Sequence, residues 1–488
     1  MSPEKNQPAF SLHKKIGLMV GIGLLLITLF TPPPAGMSEG AWYTAGAALL
    51  LASWWATEVL PIPVTSLLPL LLFPALGIMG MADSAAPYAK PTIFLLLGGF
   101  VIATALARWN LHRRLALNIL MRSGDHPAGL IGGFMAATAV ISMWISNTAS
   151  SIMMIPIALS LAGEIVKEQN DKTRGFTLCL ILGIAYAASI GGLGTIIGTP
   201  PNLFVVGFMK ENYDIEISFL NWMMFGVPAV IVMVPLAWFV LTKWAYPFDL
   251  EGSPVARTMI REELTKMGPM TLPEKRLALL FALIAASWVL RVPIQKNFEI
   301  FLWLNDAMIA VGGAVLMFMV PSGCKKEKNT MLLDWNTANS IPWGVLLLFG
   351  GGLSLAAAVK TTGLGIWLGT ALAGLGALPM ILIILSLVTL VIFLTELTSN
   401  TATTATLLPV LAALAASIGM DPMLLFAPAA LAASCAFMLP VATAPNAVIY
   451  STGKVTIGQM ASAGFRLNLV GIIAVTALSY ALIPIVFG

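Results

Sequence analysis

The sequence SNTASSIMMIPI, at residues 146–157, recurs as SNTATTATLLPV at residues 399–410. Each copy begins with the same Ser-Asn-Thr triplet and has a proline ten residues after its serine. Polar triplets and proline are a poor composition for the centre of a straight helix that faces lipid, because they interrupt its apolar surface and its hydrogen bonds. The matched pair therefore indicates an internal repeat built around two interrupted helices.

Two more blocks repeat in the same order. FLLLGGFVIATALA at 94–107 pairs weakly with LLLFGGGLSLAAAV at 346–359. ASIGGLGTIIGTPPN, ending at Asn202, pairs with ASCAFMLPVATAPN, ending at Asn446, and places a Thr-x-Pro-Asn break inside each apolar segment. Three blocks in one order predict that the two halves of the chain share one architecture.

The composition is that of a membrane protein. Of 488 residues, 58% are apolar and 10% are charged, and the mean hydropathy is +0.91, which excludes an ordinary soluble fold. Roughly ten hydrophobic segments are predicted. The clearest are residues 16–30, 41–60, 224–241, 277–290, 307–320 and 467–487.

The sequence lacks the residues that several functional classes of protein need. The histidines, His13, His112 and His126, lie in or beside basic loops, and the three cysteines are far apart without a CxxC pair. We therefore expect no disulfide, no metal centre of histidine and cysteine, and no enzyme. The sequence has no basic stripe with interleaved aromatic residues, so nothing in it indicates nucleic-acid binding.

The positive charges predict the topology. With a cytoplasmic N-terminus, the Lys and Arg groups at 243–276 and 325–328 stay inside only if two apolar stretches, about 128–163 and 378–418, return to the side they entered. Both stretches are therefore predicted to be re-entrant hairpins, one from each side of the membrane. Repeats of opposite orientation are typical of alternating-access transporters. The inside would hold Lys5, Lys14, Lys15, Arg108, Arg113, Arg114, Arg122, Lys167, Lys172, Arg174, Lys243, Arg257, Arg261, Lys266, Lys275, Arg276, Lys325, Lys326, Lys328, Lys454 and Arg466, and the outside Lys90, Lys210, Arg291, Lys296 and Lys360.

Neither hairpin contains Lys or Arg. An anion bound there must rely on Ser, Thr and Asn side chains and on helix N-termini, which contribute about 0.3 to 2 kcal/mol each. Removing a charge from water costs, in idealised form, on the order of 20 kcal/mol. Bound cations must therefore supply the missing attraction, and a hard ion such as sodium suits hydroxyl, amide and carbonyl oxygens.

These residues resemble the divalent anion to sodium symporters, which include sodium-dependent dicarboxylate and citrate carriers. The resemblance covers nearly the whole chain, including WWATEVLPIPVTSLLPLLLFP near the start, both triplets, GTPPN at 198–202 and ASCAFMLPVATAPNAVI at 433–449. It implies about eleven transmembrane helices plus two re-entrant hairpins, moving as an elevator. It also implies a homodimer in a bacterial inner membrane, importing C4-dicarboxylates such as succinate, malate and fumarate with sodium.

The resemblance also implies a set of site residues. One sodium site would use Ser142, Ser146, Asn147 and Gly198, and the other Thr395, Thr398, Asn400 and Ala442. The substrate would contact Asn147, Thr148, Thr199, Pro200, Ser399, Asn400, Thr401 and Thr443.

The domain organisation follows the same comparison. Scaffold helices are expected at 1–127 and 277–377, a cytoplasmic loop at 243–276, and the two parts of a transport domain at 128–242 and 378–488.

Some alternatives remain open. Ala444 stands where the first half has Pro200, so citrate or another tricarboxylate is a possible substrate, as are sulfate transport and carboxylate exchange. The carboxylates Glu58 and Glu396 either cap and brace helices or act directly on an ion or proton.

Overall fold

The computed structural model describes residues 12–166, 171–252, 254–324 and 329–488. Within these ranges every regular element is a helix, apart from one isolated bridge between Pro321 and Met331. The predicted all-α class is therefore confirmed. Of the basic residues used for the topology, Lys5, Lys167, Lys325, Lys326, Lys328 and the side chain of Lys172 lie outside what the structure describes.

In the first half of the chain, residues 12–166 and 171–252 form twelve α-helices. Capping side chains fix several of their starts, because a hydroxyl oxygen can accept from an amide that has no partner within the helix. Ser38 accepts in this way from the Ala41 amide, and Ser218 from the Asn221 amide. The helices are α1 (Leu12–Phe30), α2 (Glu39–Thr57), α3 (Ile62–Thr65), α4 (Leu68–Ala75), α5 (Met81–Ala85), α6 (Pro91–Arg108), α7 (Leu111–Leu120), α8 (Pro127–Ser142), α9 (Asn147–Ile165), α10 (Asp171–Gly192), α11 (Pro200–Tyr213) and α12 (Phe219–Phe239).

The second half adds eleven α-helices among the described residues. Two of them start with a capping box, in which the cap and the third helical residue bond each other's amides: Thr271 with Glu274, and Thr456 with Gln459. The helices are α13 (Pro254–Lys266), α14 (Leu272–Asn297), α15 (Asp306–Met319), α16 (Trp335–Ala338), α17 (Trp343–Thr362), α18 (Leu364–Leu372), α19 (Met380–Thr395), α20 (Asn400–Ile418), α21 (Met423–Ala433), α22 (Ala444–Ser451) and α23 (Ile457–Val486).

Nine helices in the described part of the chain are long and apolar enough to cross a membrane, or ten if Leu364–Ala377 and Met380–Thr395 are taken as one span. This agrees with roughly ten hydrophobic segments. Further apolar helices, including α8 and α15, are shorter than a full span. Helix α8 is short because the chain turns at the Ser-Asn-Thr motif that follows Ser142.

The chain divides into two compact units. One comprises the chain up to Lys90, Trp343–Leu378 and Thr401–Pro422; the other comprises Pro91–Pro342, Pro379–Asn400 and Met423–Gly488.

The first unit is held by α2 and α17. Helix α2 packs against α1 and α17, and α17 also packs against α3, α4 and α5. Buried polar side chains bond across these contacts: Trp55 Nε1 donates to Ser66 Oγ at 3.0 Å, and Ser354 Oγ to the carbonyl of Ser84 at 3.0 Å. Small polar residues that bond in this way stabilise packing between membrane helices.

The second unit is organised around α10. Both arms of the first hairpin, α8 and α9, pack against this helix, and so do α12 and α22. The Tyr186 side chain of α10 is fully buried, as are Phe134 and Met135 of α8. An apolar helix buried all round belongs in the interior of a bundle, and α10 therefore forms the core on which the first hairpin lies.

The stretch expected as a cytoplasmic loop, 243–276, contains helix α13, which packs against α7 and α9. Arg113 of α7 pairs with Glu263 at 2.6 Å, and Arg114 Nε donates to Glu274 Oε1 at 2.8 Å. The Arg114 pair is largely buried, with side-chain exposures of 11% and 5%. The connection between the two halves is thus tied to the first half by ion pairs.

Candidate functional site

The turn of the first hairpin lies between α8, which ends at Ser142, and α9, which begins at Asn147. Ser142 Oγ is fully buried and lies 2.6 Å from Asn147 Oδ1 and 2.7 Å from the carbonyl oxygen of Ala188 on α10. We call these three oxygen atoms the first oxygen cluster. It joins the end of one hairpin arm, the start of the other and the core helix.

The second half builds the same arrangement. Thr395, the last residue of α19, is fully buried, and its Oγ1 lies 2.6 Å from Asn400 Oδ1 and 2.8 Å from the carbonyl oxygen of Ala433 on α21. We call these atoms the second oxygen cluster. The sequence repeat is therefore also a structural repeat, because the same types of atoms are in contact in both halves.

Each oxygen cluster has three oxygens but a single hydroxyl proton. In each cluster the hydroxyl oxygen lies within 2.8 Å of a side-chain amide oxygen and of a backbone carbonyl oxygen. A hard cation prefers such neutral and carbonyl oxygen ligands. The residues present therefore fit a small cation such as sodium.

The breaks are braced by two buried asparagines. Asn202 Nδ2 donates to the carbonyls of Gly192 at 3.0 Å and Thr195 at 2.8 Å. Asn446 Nδ2 makes the corresponding bonds to Ala436 at 3.1 Å and Leu439 at 3.0 Å. At each break, backbone carbonyls lose their helical hydrogen-bond partners, and the asparagine side-chain amide donates to them instead. Each asparagine thereby stabilises non-helical backbone inside the membrane.

These two asparagines were missing from the predicted site residues. The signal was present in the sequence, since both end a Thr-x-Pro-Asn motif at matched positions of the repeat. They act by positioning the break.

Gly192 and Gly198 complete the surroundings of the first cluster. The Gly198 carbonyl and the Asn147 side-chain amide both face Gly192: a Cβ there would lie 2.9 Å from Asn147 Oδ1 and 3.1 Å from the Gly198 oxygen. These are closer than ordinary van der Waals contact, so only glycine leaves this space free. The structure thus brings Ser142, Asn147 and Gly198 together.

Helix α22, which follows the second break, packs against α9 and α10 of the first half. The Tyr186 ring of α10 contacts Phe437 of the second break, with centroids 5.1 Å apart. The broken segment of one half therefore lies against the hairpin and core helix of the other.

Four helices begin at or directly after predicted site residues: α9 at Asn147, α11 at Pro200, α20 at Asn400 and α22 after Thr443. Helix N-termini carry partial positive charge, which favours anions. Thr199 and Thr443 are the N-caps of α11 and α22, and both have extended backbone. No group of three or more His, Cys, Asp or Glu side chains that could hold a metal is found in the described ranges.

The remaining predicted residues have local roles in the structure. Ser146 Oγ caps α9 by accepting from the Ala149 amide at 3.2 Å, and Thr398 Oγ1 donates to the Leu394 carbonyl at 2.9 Å. Ala442 is 7% exposed. Thr148, Ser399 and Pro200 are partly exposed, whereas Thr401 falls in the other compact unit, one residue beyond the boundary at Asn400.

The two carboxylates differ sharply. Glu58 is exposed and ends α2 in the left-handed conformation, at φ 48°. Glu396 is 3% exposed and accepts hydrogen bonds from backbone amides of the second break. Glu396 therefore braces the break, and Glu58 ends a helix at the surface.

Comparison with known proteins identifies the family. Residues 12–486 match the family described as sodium:sulfate symporter transmembrane region. The chain belongs to this family. The resemblance seen in the sequence motifs is thereby confirmed.

Curated relatives and a solved structure match over the full length. The sodium-dependent dicarboxylate transporter SdcS of Staphylococcus aureus, in strains USA300 and MRSA252, is 42% identical over 492 residues, which cover 100% of this chain and 94% of the relative. The crystal structure of the Alcanivorax borkumensis YdaH transporter, described as having an unusual topology, covers 98% of this chain and 99% of its own at 14% identity, with a TM-score of 0.63. The similarity to YdaH supports the fold. Both proteins are described as transporters, and the many long apolar helices of this chain make it a multi-pass membrane protein.

Proposed function

We propose that this protein is a sodium-coupled symporter that imports C4-dicarboxylates such as succinate, malate and fumarate. The proposal is supported by the family and by the 42% identical, full-length relative named as a sodium-dependent dicarboxylate transporter. The inverted repeat supports alternating access, here by an elevator movement of the transport domain.

One observation carries the proposal: two matching oxygen clusters lie in segments that contain no Lys or Arg. Sodium at both clusters places positive charge where a dianion must bind. Without the ions, a dianion would lose its water and gain little more than helix N-termini. Binding of sodium and substrate is therefore coupled, and the sodium gradient drives uptake.

The site residues are assigned within this proposal. The first sodium site comprises Ser142, Ser146, Asn147 and Gly198, and the second comprises Thr395, Thr398, Asn400 and Ala442. Substrate carboxylates contact Asn147, Thr148, Thr199, Pro200, Ser399, Asn400, Thr401 and Thr443.

Uptake of labelled succinate into proteoliposomes tests the coupling. An inward sodium gradient should produce accumulation, and replacement of sodium by choline or potassium should abolish it. Protein-free liposomes provide the background. Accumulation that is equal in sodium and choline would exclude sodium symport.

Citrate is a second candidate substrate because Ala444, at the first position of α22, is exposed and smaller than the Pro200 of the first half. A smaller residue beside the proposed carboxylate contacts leaves room for a third carboxylate. Competition experiments separate the substrates. If excess citrate suppresses succinate uptake more strongly than excess malate does, citrate is favoured as the substrate. The same result with sulfate would favour sulfate. Counterflow without a sodium gradient would instead indicate an exchanger.

The assembly and placement belong to the same proposal. The protein is a homodimer in the bacterial inner membrane with a cytoplasmic N-terminus, scaffold helices at 1–127 and 277–377 and transport-domain parts at 128–242 and 378–488. All proposed site residues lie in the two transport-domain parts. The mass of the detergent-solubilised protein, corrected for bound detergent, measures the dimer directly.

A further inference from the structure

The start of α12 is bonded to α15. Phe219 is the first residue of α12, and its backbone amide donates to Asp306 Oδ2 at 2.8 Å. The first amides of a helix have no partner within the helix, so this amide depends on a carboxylate from elsewhere in the chain. Asp306 is the first residue of α15 and is buried. A buried hydrogen bond therefore joins the starts of the two helices.

Arg291 of α14 binds the same carboxylate. Its Nε donates to Asp306 Oδ1 at 2.7 Å, and the two side chains are only 5% and 8% exposed. A second carboxylate, Glu216, lies in the connection before α12 and pairs with Arg291 Nη2 at 2.9 Å. The Glu216 side chain is 50% exposed. Arg291 thus has one buried partner, on α15, and one solvent-accessible partner, next to α12.

Aromatic rings join the same elements. The Phe219 ring stacks on Trp288 of α14, with centroids 4.6 Å apart and planes within 4°. It also stacks on Trp144, at 5.9 Å, and the Trp144 ring meets Phe281 of α14 edge-on at 5.2 Å. Trp144 lies in the turn of the first hairpin, between its two arms. The turn that carries the first oxygen cluster is therefore packed on α14.

The contacts with α14 and α15 cross a boundary of the proposed domain organisation. Trp144, Glu216 and Phe219 belong to the transport-domain part at 128–242, and their partners on α14 and α15 belong to the scaffold helices at 277–377. Both groups fall in the second compact unit. An elevator movement carries one group past the other, so the hydrogen bond of 2.8 Å and the ion pair of 2.9 Å between them must break.

The division of partners makes this contact easy to reverse. If the start of α12 moves away, Arg291 keeps Asp306, so no buried charge is left without a partner. The contacts that are lost are a neutral amide and a half-exposed carboxylate, and a solvent-accessible ion pair contributes little to stability. The arrangement can therefore hold one conformation without making it permanent.

We propose that Glu216 and Phe219, bound to Arg291, Asp306 and Trp288, form a latch that must open in every transport cycle. The latch holds the transport-domain part 128–242 on α14 and α15 in the conformation described here. This inference rests on the proposed function, which supplies the elevator movement. Because Trp144 packs on both Phe219 and α14, opening the latch also frees the turn of the first hairpin from α14.

A reversible cross-link tests whether the latch opens. Glu216 and Gln295 of α14 both contact the Arg291 guanidinium, at 2.9 and 3.4 Å. Glu216→Cys combined with Gln295→Cys therefore places two thiols on opposite sides of the boundary and keeps Arg291 and Asp306. A short bifunctional methanethiosulfonate joins the thiols in proteoliposomes, and a reductant separates them. We expect the cross-link to abolish sodium-driven succinate uptake and the reductant to restore it.

Glu39→Cys combined with Tyr43→Cys is the matched control. These side chains meet at 2.9 Å within one turn of α2, so a cross-link between them joins no moving parts and should leave uptake unchanged. Each single cysteine variant, treated in the same way, shows what the reagent does at the native cysteines. Mass spectrometry measures the cross-linked fraction. Uptake that continues in fully cross-linked 216–295 protein would overturn the inference.

A second measurement applies even if the double cysteine variant does not fold. Glu216→Ala removes only the solvent-accessible partner of Arg291. It should speed hydrogen–deuterium exchange of the amides at 216–222, in the full-length protein in nanodiscs, by roughly two- to fivefold, the range for loss of an accessible ion pair. Glu58→Gln, at an exposed carboxylate that ends α2, should leave this exchange unchanged. Unchanged exchange in Glu216→Ala would contradict the latch.

The two proposals fail in different ways. If the single cysteine variants take up succinate only with sodium and the cross-link has no effect, the latch alone is wrong. If wild-type uptake ignores sodium, the proposed function is wrong.

Discussion

At the scale of single residues, the site depends on a few neutral atoms held very close together. Ser142 and Asn147 in one half, and Thr395 and Asn400 in the other, approach to 2.6 Å with one hydroxyl proton in each pair. Serine and threonine exchange places between the halves because each supplies the same hydroxyl. The site therefore requires an oxygen atom at each of these positions. The residue type can differ between the halves as long as it supplies that oxygen.

Removing either asparagine amide should abolish transport. Asn147→Ala and Asn400→Ala each delete an oxygen proposed to bind sodium, and a lost hydrogen bond or ligand to a charged group costs about 1.5 to 3 kcal/mol, or roughly 10- to 100-fold in binding. Succinate uptake in proteoliposomes measures the loss. Asn118→Ala, an exposed asparagine on α7, should transport normally. Full activity in both site variants would remove the proposed site.

A methyl group at Gly192 should close the first oxygen cluster. The Cβ of Gly192→Ala would lie 2.9 Å from Asn147 Oδ1 and 3.1 Å from the Gly198 oxygen, in the space proposed for the ion. We expect sodium-dependent uptake to fall at least tenfold while the protein still folds, on the same energetic grounds as loss of a ligand. Gly163→Ala on α9 is the control, because nothing lies within 4 Å of its Cβ. Normal uptake by Gly192→Ala would place the ion elsewhere.

At the scale of elements, the hairpins and breaks work because something else bonds the backbone they expose. Asn202, Asn446 and Glu396 bond the freed carbonyls and amides, and α10 covers the first hairpin with an apolar surface. Interrupted helices at membrane depth are stable only where protein replaces the missing partners. The hairpin motif by itself could not reveal these partners, which come from distant parts of the chain.

The junction of α7 with α14 should be sensitive to loss of one charge. Arg114→Ala leaves Glu274 buried without its partner and is expected to cost about 3 to 5 kcal/mol of stability. A double replacement by apolar residues, Arg114→Met with Glu274→Leu, should recover only part of this, because Glu274 also completes the capping box with Thr271. Lys266→Ala, which breaks an exposed pair with Glu263, should cost no more than about 1 kcal/mol. Thermal unfolding in detergent measures all three, and equal losses in the single variants would contradict the buried role of Arg114.

At the scale of the whole molecule, ion and substrate binding should be coupled. If sodium completes the dicarboxylate site, each ligand must raise the affinity for the other by the same factor. Succinate should therefore raise the unfolding temperature strongly in sodium and hardly at all in choline; at 100 times its Kd a ligand adds about 2.7 kcal/mol. Glutarate and citrate provide a graded series of carboxylates. Equal stabilisation by succinate in both salts would show that sodium does not complete the site.

Much of the fold was predictable because membrane insertion leaves a strong imprint on sequence. The hydrophobic segments, the matched triplets and the Thr-x-Pro-Asn breaks identified helices, hairpins and repeat, and the structure places a helix at each of the six clear segments. The exact helix ends differ from the predicted segments: the segment 41–60 ends as a helix at Thr57 because the left-handed Glu58 and then Pro61 follow. The distribution of Lys and Arg predicts the topology.

The sequence by itself determined the all-helical class, the family and the repeat, because periodic hydrophobicity and polar motifs are local properties. Only the tertiary structure decided which atoms meet: Ser142 with Ala188, Thr395 with Ala433, and Glu396 with three amides some forty residues away. Such pairings depend on how the helices pack in space. The sequence around a buried carboxylate does not show whether the carboxylate binds an ion or backbone amides. The contact between Glu396 and the second break is therefore a property of the fold.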